Sequence, residues 1–166
     1  MRRYRKKIVA FLFEITQGIY IKYFKKNTPW NLTKKELLLY AKYSFGYKLG
    51  LFLDQNGFDL IPKAERHDAY HVITGYTSNE EDEIALQYLC FGNGKRSLYL
   101  FGVVILGSII LPDYYRYYLK SYHLGKNLNR FYDLDFKGLL NTDFETLKTS
   151  IFNKKQLKNE TLKTTF

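Results

Sequence analysis

The chain has 166 residues, 46% hydrophobic and 18% aromatic, with a formal net charge of +10. That composition excludes an intrinsically disordered chain and allows one compact domain over residues 1–166 with a sizeable core. A single cysteine, Cys90, excludes an intramolecular disulfide and, lying in an apolar stretch, reads as a small buried hydrophobe.

The opening stretch, MRRYRKKIVAFLFEITQGIYIKYFKK, begins with a basic cluster like that of a signal peptide. Its unbroken apolar run, Ile8 to Phe13, is only six residues long before Glu14, and no small-residue cleavage site follows. It is read instead as a retained first helix within residues 1–28, either covering the core or resting on an anionic membrane surface. A loop follows over 25–31, and then Thr33 and Glu36 match a capping box. The helix beyond it carries Leu37, Leu38, Tyr40, Ala41 and Phe45 at helical spacing. Gly46 and Gly50 thin that helix, Asn56-Gly57 turns the chain and Pro62 stops it.

Residues 64–86, AERHDAYHVITGYTSNEEDEIAL, hold two of the three histidines. On a helix His67 and His71 share a face, and Asp68 is rotated about 60° from His71. Gly75 ends this helix, and a second capping box, Ser78 to Glu81, opens the next one, which ends near Gly92. His71 lies four residues before Gly75 and Glu83 five after Ser78, so an antiparallel hairpin sets both ~6–8 Å from the turn. Two imidazoles and two carboxylates then converge. That donor set is compatible with zinc, iron or manganese, and the lack of thiolate argues against a structural zinc finger. The competing reading is a solvated histidine pair beside acids that favour a helix N-terminus. A zincin-type site fits poorly, because Asp68 is one methylene shorter than the glutamate base of HExxH.

Ser97 to Pro112 carries no charge for sixteen residues. It falls short of the ~17–25 apolar residues of a spanning helix and reads as a buried central helix. After Pro112, Tyr115, Tyr118, Leu119 and Tyr122 form one helix face and Arg116, Lys120 and His123 another, with Gly125 as C-cap. A last helix is predicted near Asp143 to Phe152, and residues 153–166 read as a frayed tail. Strand signals are few. The prediction is an all-α, single compact helical domain with a helix-turn-helix hairpin carrying the candidate metal residues. Its positive charge favours anionic partners, but no helix-turn-helix reader, RNP or OB signature accompanies it, so nucleic acid is not expected.

His67-Asp68-x-x-His71, eleven residues and then Glu83 resembles the signature of a ubiquinone (coenzyme Q) biosynthesis family, the fourth Coq protein. The short glycine-containing turn, the Glu-Ile-Ala-Leu helix, the GYKLGLFLDQNGFD stretch and the long apolar helix are similar in placement, so the resemblance covers roughly residues 30–140. It implies an all-helical protein in which His67, Asp68, His71 and Glu83 bind a divalent metal, zinc before iron or manganese. It implies a metal-dependent enzyme of decarboxylase or hydroxylase type, acting at C1 of a polyprenylated aromatic precursor by oxidative decarboxylation, or else a non-catalytic prenyl-lipid-binding scaffold. The implied partners are a prenylated lipid or quinone precursor, other quinone-biosynthesis proteins, a membrane surface and, compatibly, a second copy of the chain. Without the presequence of eukaryotic members, the expected setting is a bacterial cytoplasm, peripheral to the inner membrane.

Overall fold

The computed structural model describes residues 2–23 and 28–152. Residues 25–27 of the predicted first loop and the tail expected over 153–166 lie outside them. The described residues are all-α, with eight α-helices and no strand; one isolated antiparallel bridge joins Ser44 to Asp143.

Helix α1, Arg2–Tyr23, buries Val9 and leaves Ile8, Phe11, Ile15 and Ile19 exposed. It is tethered by charge: Arg5 donates to Asp113 at 2.7 Å, and Lys6 pairs with Glu81. Helix α2, Lys34–Leu38, starts with the predicted capping box, as Glu36 N–H donates to Thr33 Oγ1 and Thr33 N–H to the Glu36 carboxylate.

The helix read as continuous to Phe45 is in fact two. It stops at Leu38, and α3, Phe45–Asn56, begins afresh where Ser44 Oγ accepts from Tyr47 N–H at 3.2 Å. Helical spacing persists across this break because Tyr40 and Phe45 pack on the same core. Gly46 and Gly50 do not thin the helix. Gly50 lets α2 and α3 close up, since a Cβ there would lie 3.1 Å from Leu37, while a Cβ at Gly46 would lie 3.0 Å from the Leu140 carbonyl oxygen and from the Tyr40 ring.

Helix α4, Glu65–Thr74, ends at Gly75, whose φ of 75° is a left-handed conformation that glycine adopts without penalty. Helix α5, Glu80–Gly92, follows after a short loop. Its predicted Ser78–Glu81 box does not form. Asp82 takes over, its Oδ2 accepting from Thr77 N–H at 2.9 Å and Thr77 Oγ1 at 2.7 Å, while Ser78 Oγ donates to Asn56. Seven consecutive residues of α5, Ile84 to Cys90, are buried, and they feed both hydrophobic clusters of the fold. Burial pushes the Cys90 thiol up to about 11, in keeping with a packing role.

Helix α7, Tyr115–Asn127, lies along α5. Gly125 is not its C-cap. A Cβ there would stand 2.0 Å from the Leu89 carbonyl oxygen, and a Cβ at Gly92 of α5 would stand 2.1 Å from that of Tyr122, so the two glycines let the backbones touch. The buried side of α7 is Tyr118, Ser121 and Gly125, so the tyrosine stripe contributes only Tyr118 to it, and Tyr115 is half exposed.

The apolar segment Leu98–Ile110, α6, is not the buried central helix its composition suggests. Only Leu100, Val103 and Gly107 are buried, whereas Leu98 is 79% and Ile109 69% exposed. Hydrophobicity states that a residue gains by leaving water, not which neighbour covers it. Among the described residues no single helix is long and apolar enough to cross a membrane. By length and composition, α6 and the stretch Pro112–Asn127 pass together as a pair bent by 102°. Helix α8, Phe144–Ile151, lies where predicted, capped by Asp143 accepting from Thr146 N–H at 2.8 Å.

Candidate functional site

His67 and His71 stand one turn apart on α4 with their ring centroids 4.7 Å apart, and Glu83 reaches them from the first turn of α5. His67 Nε2 lies 3.2 Å from Glu83 Oε2, and His71 Nε2 lies 3.1 Å from Oε1. The level pairing of Glu83 with His71 expected from equal distances to the turn is therefore present. The two helices meet through these side chains more than along their lengths, since α4 packs chiefly on α3 and α5 on α7.

Two neighbours hold the His71 ring in place. The Phe52 ring of α3 stacks on it at 5.5 Å, nearly parallel. His71 itself is buried, and its Nδ1 lies 2.9 Å from the Tyr76 carbonyl oxygen. Tyr76 is anchored in turn by its hydroxyl, which donates to Ser121 of α7 at 2.7 Å. A carbonyl can only accept, so Nδ1 carries the hydrogen and Nε2 faces Glu83. In neutral His71 that would set a lone pair against a carboxylate. The arrangement calls for a proton or a cation between them.

The electrostatics agree. Burial alone would raise Glu83, but the charges and hydrogen bonds of two imidazoles hold it well below the usual carboxylate range. Burial would depress His71, yet its hydrogen bond to Glu83, the Glu83 charge and the Tyr76 carbonyl outweigh that and raise it. Burial prevails at His67, which is lowered.

The ligand atoms of His67, His71 and Glu83 all lie within 4.8 Å of one another. Zinc bonded at ~2.0–2.2 Å in a tetrahedron sets its ligand atoms about 3.4 Å apart; here each imidazole Nε2 lies 3.1–3.2 Å from one of the two Glu83 oxygens. The Nδ1–carbonyl bond at His71 is the outer support that metal-bound histidines normally have. Asp68, the fourth residue predicted, lines the same cavity but falls outside this close group; its charge acts on His71.

The cavity in front of the three residues has a volume of about 950 Å³. Aromatic walls come from Phe52, Phe58, Tyr99 and Tyr132, and polar walls include Arg66, Gln87 and Lys95. Sequence reasoning missed these last three. Gln87 was findable, since it stands four residues after Glu83 on the same helix face. An apolar groove of about 290 Å³ runs between α1 and α6 and shares Phe13, Tyr20 and Tyr99 with the cavity wall.

No protein-family model matches this chain, and no curated protein sequence matches it either.

Proposed function

We propose that this chain is a metal-dependent protein of prenylquinone biosynthesis, modifying the head group of a polyprenylated aromatic precursor at its C1 position. The observation that carries the reading is the convergence of His67, His71 and Glu83, from two helices, on one wall of a large cavity. Zinc is the preferred ion, with iron or manganese compatible with the same donors. When bound, such an ion supplies Lewis acidity toward a carboxylate or an activated water. The chain's own residues would do the rest: Tyr76 orients His71, Phe52 packs its ring, and Asp68 adds negative charge beside the ligand set.

The resemblance of His67-Asp68-x-x-His71…Glu83 to the ubiquinone-biosynthesis signature directs the choice of substrate. The apolar groove supports it, because a tail leaving the cavity past Tyr99 and Tyr20 would run between α1 and α6. The exposed apolar side chains of those helices support residence at a membrane surface, where an isoprenoid precursor is found.

Native mass spectrometry with elemental analysis of the purified chain tests the reading. Stoichiometric divalent metal in the wild type, lost in His71→Ala and Glu83→Gln, is the expected result. A wild-type chain without metal, together with unchanged quinone levels in cells carrying His71→Ala, would sink it.

A non-catalytic prenyl-lipid scaffold is the second reading, favoured by one observation: the His67–Glu83–His71 contacts already tie α4 to α5. It expects the same variants to lose folding stability or partner binding while no turnover is reconstituted.

A further inference from the structure

The turn that closes α5 carries a lysine into the cavity wall and fixes it there. Gly94 has a φ of 110°, and a Cβ added to it would lie 3.2 Å from the Tyr132 ring. Asn93 Oδ1 accepts from the N–H groups of Phe131 and Tyr132 at 2.9 and 3.2 Å, which bolts this turn to the loop after α7. Lys95 follows, its N–H donating to the Cys90 carbonyl oxygen at 3.0 Å and its Nζ standing 4.9 Å from the centre of the Tyr70 ring. Arg66 of α4 lines the same cavity and reaches the hydroxyl of the same tyrosine. Two basic side chains thus share one ring, and neither makes an ion pair with any described residue. Asp133, on which the Arg66 charge acts, is already paired with Arg130, and Arg96 is committed to the Phe91 and Lys95 carbonyl oxygens.

A lysine beside a second cation and away from any acid gives up its proton more readily than one in water. The titratable groups around Lys95 are Arg66, His67 and Tyr70 from α4 and Cys90 from α5; the loop after α7 adds Tyr132 and the paired Arg130 and Asp133. Burial lowers Lys95; Cys90 opposes this and the Arg66 charge adds to it. The opposition of Cys90 requires a thiolate, and that thiol is itself pushed up to about 11. At neutral pH burial and Arg66 therefore act against the Tyr70 ring face, which favours the ammonium.

We propose that Lys95 is a nucleophilic amine that captures a small aldehyde or ketone in this cavity as an imine. The Nζ lone pair attacks the carbonyl carbon, the carbonyl oxygen takes up the two amine hydrogens and leaves as water, and a C=N bond replaces C=O. No oxidant, reductant or metal enters this step. Rings of Phe52, Phe58, Tyr99 and Tyr132 in the wall admit a planar aromatic carbonyl compound. The inference goes beyond the reading above and does not depend on it.

The test is reductive trapping on the purified full chain. Benzaldehyde and sodium cyanoborohydride are added across a pH series, and peptide mass spectrometry follows the N-benzyl group at each lysine. At neutral pH Lys95 should be modified several-fold faster than the exposed Lys120, with the midpoint of its rate–pH profile below that of Lys120. Lys95→Arg should remove the adduct at this position and leave Lys120 unchanged. Arg66→Met should slow Lys95 several-fold and move its midpoint up, whereas Arg66→Lys, which keeps the charge, should retain both. Melting curves identify any variant that fails to fold, and the ranking of lysines within the wild type needs no variant at all. Lys95 trapped no faster than Lys120 overturns the proposal, and so does a Lys95 rate that ignores Arg66→Met in folded protein. The expected rates are the same in excess chelator, so failure of this site and failure of metal binding are read separately.

Discussion

Helices α5 and α6 have the same length and adjoin in sequence, yet they invert what their compositions suggest. The more polar α5 opens with four acidic residues and still buries everything from Ile84 to Cys90; the uncharged α6 buries three positions. The difference lies in partners. Helix α5 has α7 on one side, brought to backbone contact by Gly92 and Gly125, and both core clusters around it. Helix α6 touches α5 and α1 along one edge, and α1 covers little of it. Apolar content on α5 is spent inside the fold, whereas on α6 it faces outward.

The sharpest way to break this comparison is to make the same change in both helices. Leu86→Ala on α5 should cost about 2–5 kcal/mol, the range for a fully buried leucine, whereas Ile109→Ala on α6 should stay within about 0.5 kcal/mol. Chemical denaturation reads both, and a comparable loss at Ile109 would show that α6 is covered after all.

Glycines give a second pair. At Gly125→Ala the new methyl meets the Leu89 carbonyl at 2.0 Å, and a loss of about 1–3 kcal/mol is expected from overpacking. Gly102→Ala on α6 meets nothing within 4 Å and should gain about 0.5–1 kcal/mol from helix propensity. Thermal melts of opposite sign are the signature.

Smaller effects sharpen the site's dependence on α5. In metal-free protein the raised His71 contributes stability that is full below its unfolded value of ~6.5 and is lost as pH rises through its folded value. The lowered His67 acts oppositely: folding binds fewer protons there, so stability falls as pH drops below ~6.5. A stability optimum near neutrality follows. His71→Ala should flatten its alkaline flank and His67→Ala its acid flank, as measured by melting temperature against pH. Added zinc should extend the plateau to alkaline pH, because the ion replaces the proton between His71 and Glu83. Smallest of all, a thiol reagent should label Cys90 only as the chain unfolds, since the thiol is buried and pushed up to about 11.

The legible parts of this chain are those decided over one or two turns. The Thr33–Glu36 cap, the Gly75 stop, the Asp143 start and the spacing that aligns Glu83 with His71 are all local geometry. Illegibility begins where two local solutions compete. Ser78–Glu81 satisfies the pattern of a capping box, but Asp82 binds Thr77 instead, and both are built from the same run of acids. Gly125 looks the same in sequence whether it ends a helix or admits another backbone. The exposure of α6 and the cavity positions of Gln87 and Lys95 depend on segments far apart in the chain, and no window on the sequence contains them. Asp68 shows the limit within the site, since helical rotation puts it near His71 but does not say how close its carboxylate comes to Glu83.

The grip of Tyr76 on His71 comes from a main-chain oxygen, so that part of the site has no codon of its own. Side-chain substitutions through residues 75–78 reach it only indirectly, through the Gly75 turn, the Tyr76 anchor on Ser121 and the Thr77 bonds to Asp82. One inserted or deleted residue in that loop would reach it directly. It would move the carbonyl away from the ring, free the imidazole to turn over and offer Glu83 the wrong nitrogen, with every acidic and histidine residue still in place.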